Sequence, residues 1–293
     1  MKLARFTEAG RTRIGKVVGD RIIDLTPALG EGVSMRQVLA DLPRLRPALL
    51  AATGPEFALA SVRLEVPVAD PQKFLAIGMN YQKHAEEARA AGITIPTSQM
   101  WFNKQVSCLN APFDPVVKPE ASDKVDYEIE LGVVIGKRCR HVSRGEARSV
   151  IAGYVIVNDV SARDWLPRSP TFTLGKSFDT HGPVGPWITT DDEIADPLDL
   201  GMKLWVNGEL RQDGRTNDMI YDIYDQIAYL TTVMTLEPGD ILATGTPSGI
   251  GAPTGCFLKP GDRMRLEIEA LGAIESEIVA ETAHAHEPVL SAM

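Results

Sequence analysis

The chain has 293 residues, 44% of them hydrophobic, with 39 acidic against 30 basic side chains and a formal net charge of −9. That balance argues against nucleic acid and anionic membranes as partners, because both are bound through Lys/Arg clusters that this sequence lacks. No apolar run approaches the roughly 20 residues of a membrane span, and Met1-Lys2-Leu3-Ala4-Arg5 carries no signal-peptide core. Cys108, Cys139 and Cys256 make no Cys-x-x-Cys pair. A soluble cytoplasmic protein with packed thiols is expected.

In chain order, alternating residues at Arg13–Val18 and Arg21–Leu25 flank Gly19-Asp20 and read as a β-hairpin. Ser34-x-x-Gln37 has capping-box spacing and opens a helix toward Leu49 and Leu50, interrupted by Pro43 and Pro47. Val66–Pro71 then reads as a boundary, giving a small α+β domain over residues 1–70. Beyond it, Lys73–Ile77 is a strand, and Tyr81 to Ala91 is a helix stopped by Gly92. Asp126–Gly136 and Tyr154–Asp159 are core strands, with a short helix near Arg144–Ile151 between them. Asn207-Gly208 is a hairpin turn between Leu204–Val206 and Leu210. Ile220 to Met234 is helical, and Pro-Gly-Asp turns feed strands at Ile241–Thr244 and Arg263–Ala270. The class expected is mainly β with short helices, a roll or sandwich over 71–281, followed by a flexible tail over 282–293 that holds His284 and His286.

The run from Asp126 to Ile135 carries the first chemical signal. Tyr127, Ile129, Leu131, Val133 and Ile135 share one strand face, while Glu128 and Glu130 share the other. Two like charges so placed in an apolar strand would cost on the order of several kcal/mol unless something positive lies between them. Asp159, ending the next apolar strand, adds a third hard oxygen ligand, and the trio suits Mg²⁺ or Mn²⁺ with positions left open for substrate. Glu-x-Glu also suits the solvated face of an antiparallel sheet; the flanking Val-Val-Ile and Val-Ile-Val argue for burial.

His84 and Glu87 lie three apart on one helix, as either an exposed pair or a base with its ring oriented by a carboxylate. Lys176, in an apolar, turn-rich stretch, is either a surface lysine or a cation for a developing enolate. His181 is equally open. The glycine-rich segment Thr244–Gly255 lacks P-loop and dinucleotide spacing, although its backbone N–H groups suit a carboxylate.

Six stretches in order resemble the fumarylacetoacetate hydrolase family: Gly78-Met-Asn80-Tyr81-x-x-His84-x-x-Glu87, Asp126-Tyr-Glu128-Ile-Glu130-Leu-Gly-Val-Val, Asn158-Asp159-Val-Ser-Ala-Arg163-Asp164, Gly175-Lys176-Ser-Phe-Asp179, Val206-Asn207-Gly208-Glu209 and Thr244-Gly-Thr246-Pro247. The resemblance covers about Pro71 to Glu281 and implies a β-roll catalytic domain in a homodimer. It implies Mg²⁺ or Mn²⁺ on Glu128, Glu130 and Asp159, His84 with Glu87 as base, and Lys176 as the active-site lysine. Tyr81, Lys104, Arg163, His181, Gly245 and Thr246 are the expected substrate contacts. The implied reaction is hydrolysis of a short 2,4-diketo acid, an acylpyruvate such as fumaryl- or maleylpyruvate or a 2,4-diketo-3-deoxy sugar acid. Oxaloacetate decarboxylation or 2-hydroxy-dienoate isomerisation at the same site, or keto-acid binding without turnover, are the alternatives. Some relatives carry a glutamine shortly after the Arg-Asp pair, where this chain has Trp165-Leu166.

Overall fold

The computed structural model describes residues 1–90 and 92–282; Ala91 and the tail residues from Ala283, with His284 and His286, lie outside the described residues. Its spine is a 12-stranded sheet. Through its middle run Lys2–Glu8, Gly182–Thr190, Ile151–Asn158, Ile129–Ile135, Ile241–Ala243 and Phe74–Gly78, each hydrogen-bonded to the next. A second sheet of five strands carries Gly201–Val206, Glu209–Arg215, Arg263–Ile268 and Gly272–Ala280. No helix among the described residues is long and apolar enough to cross a membrane.

The two central strands are buried along their whole length because both faces of the large sheet are covered. Tyr127, Ile129, Leu131, Val133 and Ile135 pack with Met202, Leu204, Leu266 and Ile274 of the five-stranded sheet. Val134, Val155 and Val157 point the other way, into a cluster with Leu39 and Leu49 from the N-terminal helices. The expected alternation of faces is therefore present. The mixed fold has a small N-terminal β/α segment ahead of a larger β-rich part, and that segment's strand Lys2–Glu8 pairs directly with Gly182–Thr190.

Local signals hold where the physics is local. Ser34 and Gln37 form the reciprocal capping box. Asn207 and Gly208 both take positive φ, 53° and 81°, which the hairpin turn requires. Asp222 caps the helix Ile223–Val233 by accepting from the N–H groups of Tyr224 and Asp225.

Three expectations need correction. The strand over Asp126–Gly136 is broken: Val125–Asp126 pairs with Ser161–Ala162, and the long strand begins only at Ile129. Glu128 lies in the break, its N–H donated to the Asn158 side chain rather than to the ladder. The N-terminal helix divides at Asp41 into Met35–Ala40 and Leu42–Ala51, not at the prolines. Pro43 sits in a first turn, where no N–H is needed, and Pro47 is carried inside the helix. The helix expected near Arg144–Ile151 is one 3-10 turn, Ala147–Val150. Gly182–Thr190, which the sequence reading left unassigned, is a central strand despite Pro183 and Pro186; Pro186 falls where the register with Ile151–Asn158 slips.

Candidate active site

The antiparallel register sets Ile129 opposite Asn158, so Glu128 just before one strand and Asp159 just after the other become neighbours. The Asp159 N–H donates to the Glu128 carbonyl at 2.8 Å. Glu130, opposite Val157, projects to the same side, and ligand oxygens of Glu128, Glu130 and Asp159 all lie within 4.8 Å of one another. All three carboxylates are at most 5% exposed.

Three cations hold this charge. Lys176 Nζ lies 2.7 Å from Glu128 Oε2 and 2.6 Å from Asp159 Oδ2. Lys104 Nζ sits 2.7 Å from Asp159 Oδ1, and Arg163 Nη2 is 2.7 Å from Glu128 Oε1. Arg163 Nε also donates to Asp126 Oδ2 at 2.8 Å. Glu130 receives a neutral donor instead, the Gly245 N–H at 2.8 Å. Gly245 has φ +96°, and a Cβ there would stand 2.8 Å from Asn80 Cβ, so only glycine fits this approach.

The neighbours separate the two glutamates. Burial would raise the Glu128 carboxyl, but Lys176 and then Arg163 outweigh it and hold it down at about 2. Burial pushes Glu130 well above the carboxylate range, and the charges of Asp159 and Glu128 push it further. Burial works against the Lys176 ammonium, yet Asp159 and Glu128 prevail and raise it above the ordinary lysine value. Three buried hard-oxygen donors, one of them short of a cationic partner, fit a divalent cation.

His84 comes from the helix Gln82–Ala90, buried, with Nδ1 3.3 Å from Glu87 Oε2. It shares a cavity of about 120 Å³ with Glu128, Glu130, Arg163, Lys176 and Thr246. The remaining lining is Ile77, Gly78, Met79, Met100, Phe102, Leu166 and Phe172. Helix, strand starts and the turn Thr173–Lys176 thus converge on one space.

Tyr81, Lys104, His181 and Gly245 lie behind that lining. The Tyr81 hydroxyl donates to Met202 Sδ at 3.2 Å, and burial raises its phenol. Lys104 is spent on Asp159 and the Val160 and Lys176 carbonyls. His181 Nε2 meets the Val117 carbonyl at 3.0 Å, and burial, then Lys104, lowers the ring to about 3, so it is neutral. Thr246 donates to the Ile129 carbonyl and accepts from Gln212 Nε2, both at 2.8 Å. The glycine-rich loop spends its N–H groups on the protein's own carboxylates: Gly245 on Glu130, Gly251 and Ala252 on Asp126.

Two contributors escaped sequence reasoning. Asp126 anchors Arg163, and its place in an apolar strand was the available signal. Gln212 reaches from the five-stranded sheet to accept the Ile129 N–H, between the two glutamates, and a lone glutamine on a hairpin gives no sequence signal.

Comparisons with known proteins agree with this geometry. The family described as Fumarylacetoacetate (FAA) hydrolase C-terminal matches residues 73–279. The 2,4-didehydro-3-deoxy-L-rhamnonate hydrolase of Sphingomonas sp. (strain SKA58) is 43% identical over 95% of this chain and 96% of its own length. The crystal structure of maleylpyruvate hydrolase from Sphingobium sp. SYK-6, in complex with manganese (II) ion and pyruvate, matches at TM-score 0.83 and 40% identity. That match covers 96% of this chain and 100% of that one. The 5-carboxymethyl-2-hydroxymuconate delta-isomerase of Mycobacterium smegmatis matches at TM-score 0.78 and 32% identity, with the same coverage. The chain belongs to the fumarylacetoacetate hydrolase family and is a hydrolase of that family.

Proposed function

We propose that the protein hydrolyses a carbon–carbon bond of a short 2,4-diketo acid, releasing pyruvate or a related 2-keto acid and a carboxylic acid. The observation that carries this reading is one cavity holding both the His84–Glu87 pair and the Lys176–carboxylate cluster. Relatives named for a didehydro-deoxy-rhamnonate and for maleylpyruvate support the substrate class.

Glu128, Glu130 and Asp159 would hold a divalent cation, Mn²⁺ or Mg²⁺, which supplies Lewis acidity to the 2-keto acid end of the substrate. His84, its ring oriented by Glu87, takes a proton from water as the oxygen bonds to the distal carbonyl carbon. The bond from that carbon to the methylene then breaks, and the electron pair leaves as the enolate of pyruvate. The Lys176 ammonium stabilises the enolate oxygen, and the proton on His84 returns to the methylene carbon. A cytoplasmic homodimer is part of the same reading, checked by sedimentation and fractionation.

NMR of products tests the reaction on a panel of acetylpyruvate, fumarylpyruvate, maleylpyruvate, a 2,4-diketo-3-deoxy sugar acid and oxaloacetate. Pyruvate plus a free acid is expected, with His84→Ala losing about 10²–10⁴-fold in rate while still binding Mn²⁺. CO₂ from oxaloacetate alone, or a shifted double bond alone, would transfer the site to decarboxylation or to the isomerisation named for the Mycobacterium relative.

A further inference from the structure

The cavity has two kinds of lining. Glu128, Glu130, Lys176 and Arg163 are the charged part, while Met100, Phe102, Leu166 and Phe172 are apolar. A 2-keto acid places its charged head against the first, so whatever follows the scissile bond meets the second.

The apolar lining is built into the fold. The Phe102 and Phe172 rings meet edge to face, centroids 6.0 Å apart at 73°. Phe172 holds φ 58°, a left-handed backbone that a bulky residue keeps only where the surroundings enforce it. It caps the short helix Thr173–Lys176, so the ring and the Lys176 ammonium are set by the same turn. Gly175 in that turn makes room for Leu166: a Cβ there would stand 2.7 Å from both Leu166 Cδ2 and Leu166 N. Lys176 Nζ also lies 5.0 Å from the Phe102 ring centroid, where charged floor and apolar wall meet.

Charge balance points the same way. With Glu130 ionised, as a metal ligand must be, Asp126, Glu128, Glu130 and Asp159 face Lys104, Arg163 and Lys176 with one negative charge in excess. A divalent cation turns that into one positive, and the head carboxylate of one 2-keto acid cancels it. A second carboxylate would meet an apolar wall, the two cations that line the cavity, Arg163 and Lys176, being already paired, and burying an unpaired carboxylate is strongly unfavourable. We propose that Met100, Phe102, Leu166 and Phe172 form an acyl pocket that selects a short uncharged acyl group over one ending in a second carboxylate. This rests on the diketo-acid reading and deepens it, favouring an alkyl-type acyl group over a maleyl-type one.

Calorimetric titration of Mn²⁺-loaded protein with 2-oxohexanoate and 2-oxoadipate isolates the tail, because the two share a head and a chain length. We expect 2-oxohexanoate to bind at least about tenfold tighter. Equal affinities, tighter 2-oxoadipate, or no binding of either overturns the proposal. Leu166 is only half-buried, so Leu166→Arg should fold and erase or reverse the preference; a folded variant with the preference intact overturns the pocket assignment. Turnover of the diketo-acid panel on the same samples separates the two readings. No product from any diketo acid with the 2-oxohexanoate preference intact removes the diketo-acid reading and upholds the pocket. Product together with a 2-oxoadipate preference does the reverse.

Discussion

Two buried lysines, one in each part of the molecule, have different partners. Lys16, on the N-terminal strand Arg11–Val18, is 7% exposed and donates to the carbonyls of Leu49, Leu50 and Ala52 at 2.9, 2.8 and 3.2 Å. Leu49 and Leu50 are among the last residues of the helix Leu42–Ala51 and Ala52 is its C-cap, and carbonyls at a helix end have no partner inside the helix. Lys176, 4% exposed, meets two carboxylates at the edge of a cavity. Burial is the same, so burial does not separate structure from chemistry. The partners do: three neutral carbonyls use up an ammonium, whereas two carboxylates beside an open space leave it able to follow charge as charge moves.

The comparison breaks most sharply at Lys176. Lys176→Met should lower kcat/KM by about 10²–10³-fold, the scale of removing one preorganised charge stabiliser. If steady-state kinetics instead show near-native turnover and only the melting temperature drops, Lys176 is as structural as Lys16. Metal comes next. Mn²⁺ at about a hundred times its dissociation constant should stabilise the fold by about 2.7 kcal/mol in denaturant titrations, and Glu130→Gln should abolish the gain. Lys16→Met should keep that response in full. It should lose about 2 kcal/mol of stability by leaving helix carbonyls unpaired, with kcat unchanged. The smallest effect belongs to Ser34→Ala, about 1 kcal/mol from the lost cap, again without a change in kinetics.

Sequence reading succeeded where the deciding interaction is short in range. The capping box at Ser34 and Gln37 and the Asn207-Gly208 turn depend on residues at most three apart. The face parity of Ile129, Leu131, Val133 and Ile135 follows from strand geometry alone, and it put Glu128 and Glu130 on one side before any contact was known. The short helix near Arg144–Ile151 is there but only as a 3-10 turn, whereas the strand break at Glu128 was missed because it depends on a distant partner. Glu128 leaves the ladder for an Asn158 side chain thirty residues away. Gly182–Thr190, left unassigned in the sequence reading, holds a central place because the neighbouring register slips at Pro186.

The same division runs through the site. Composition, strand alternation and motif order determined the class of fold, the carboxylate trio and the His84–Glu87 pair, since each is a pattern along one chain segment. Tertiary structure decided which charges meet: Lys176 between Glu128 and Asp159, Lys104 and His181 behind the cavity rather than in it, Arg163 tied to Asp126. It also decided that Met100, Phe102, Leu166 and Phe172, scattered over about seventy residues, line one cavity. A side chain's type and spacing are written in the chain, but its electrostatic partners and the space it faces are set by segments that only folding brings within a few ångströms.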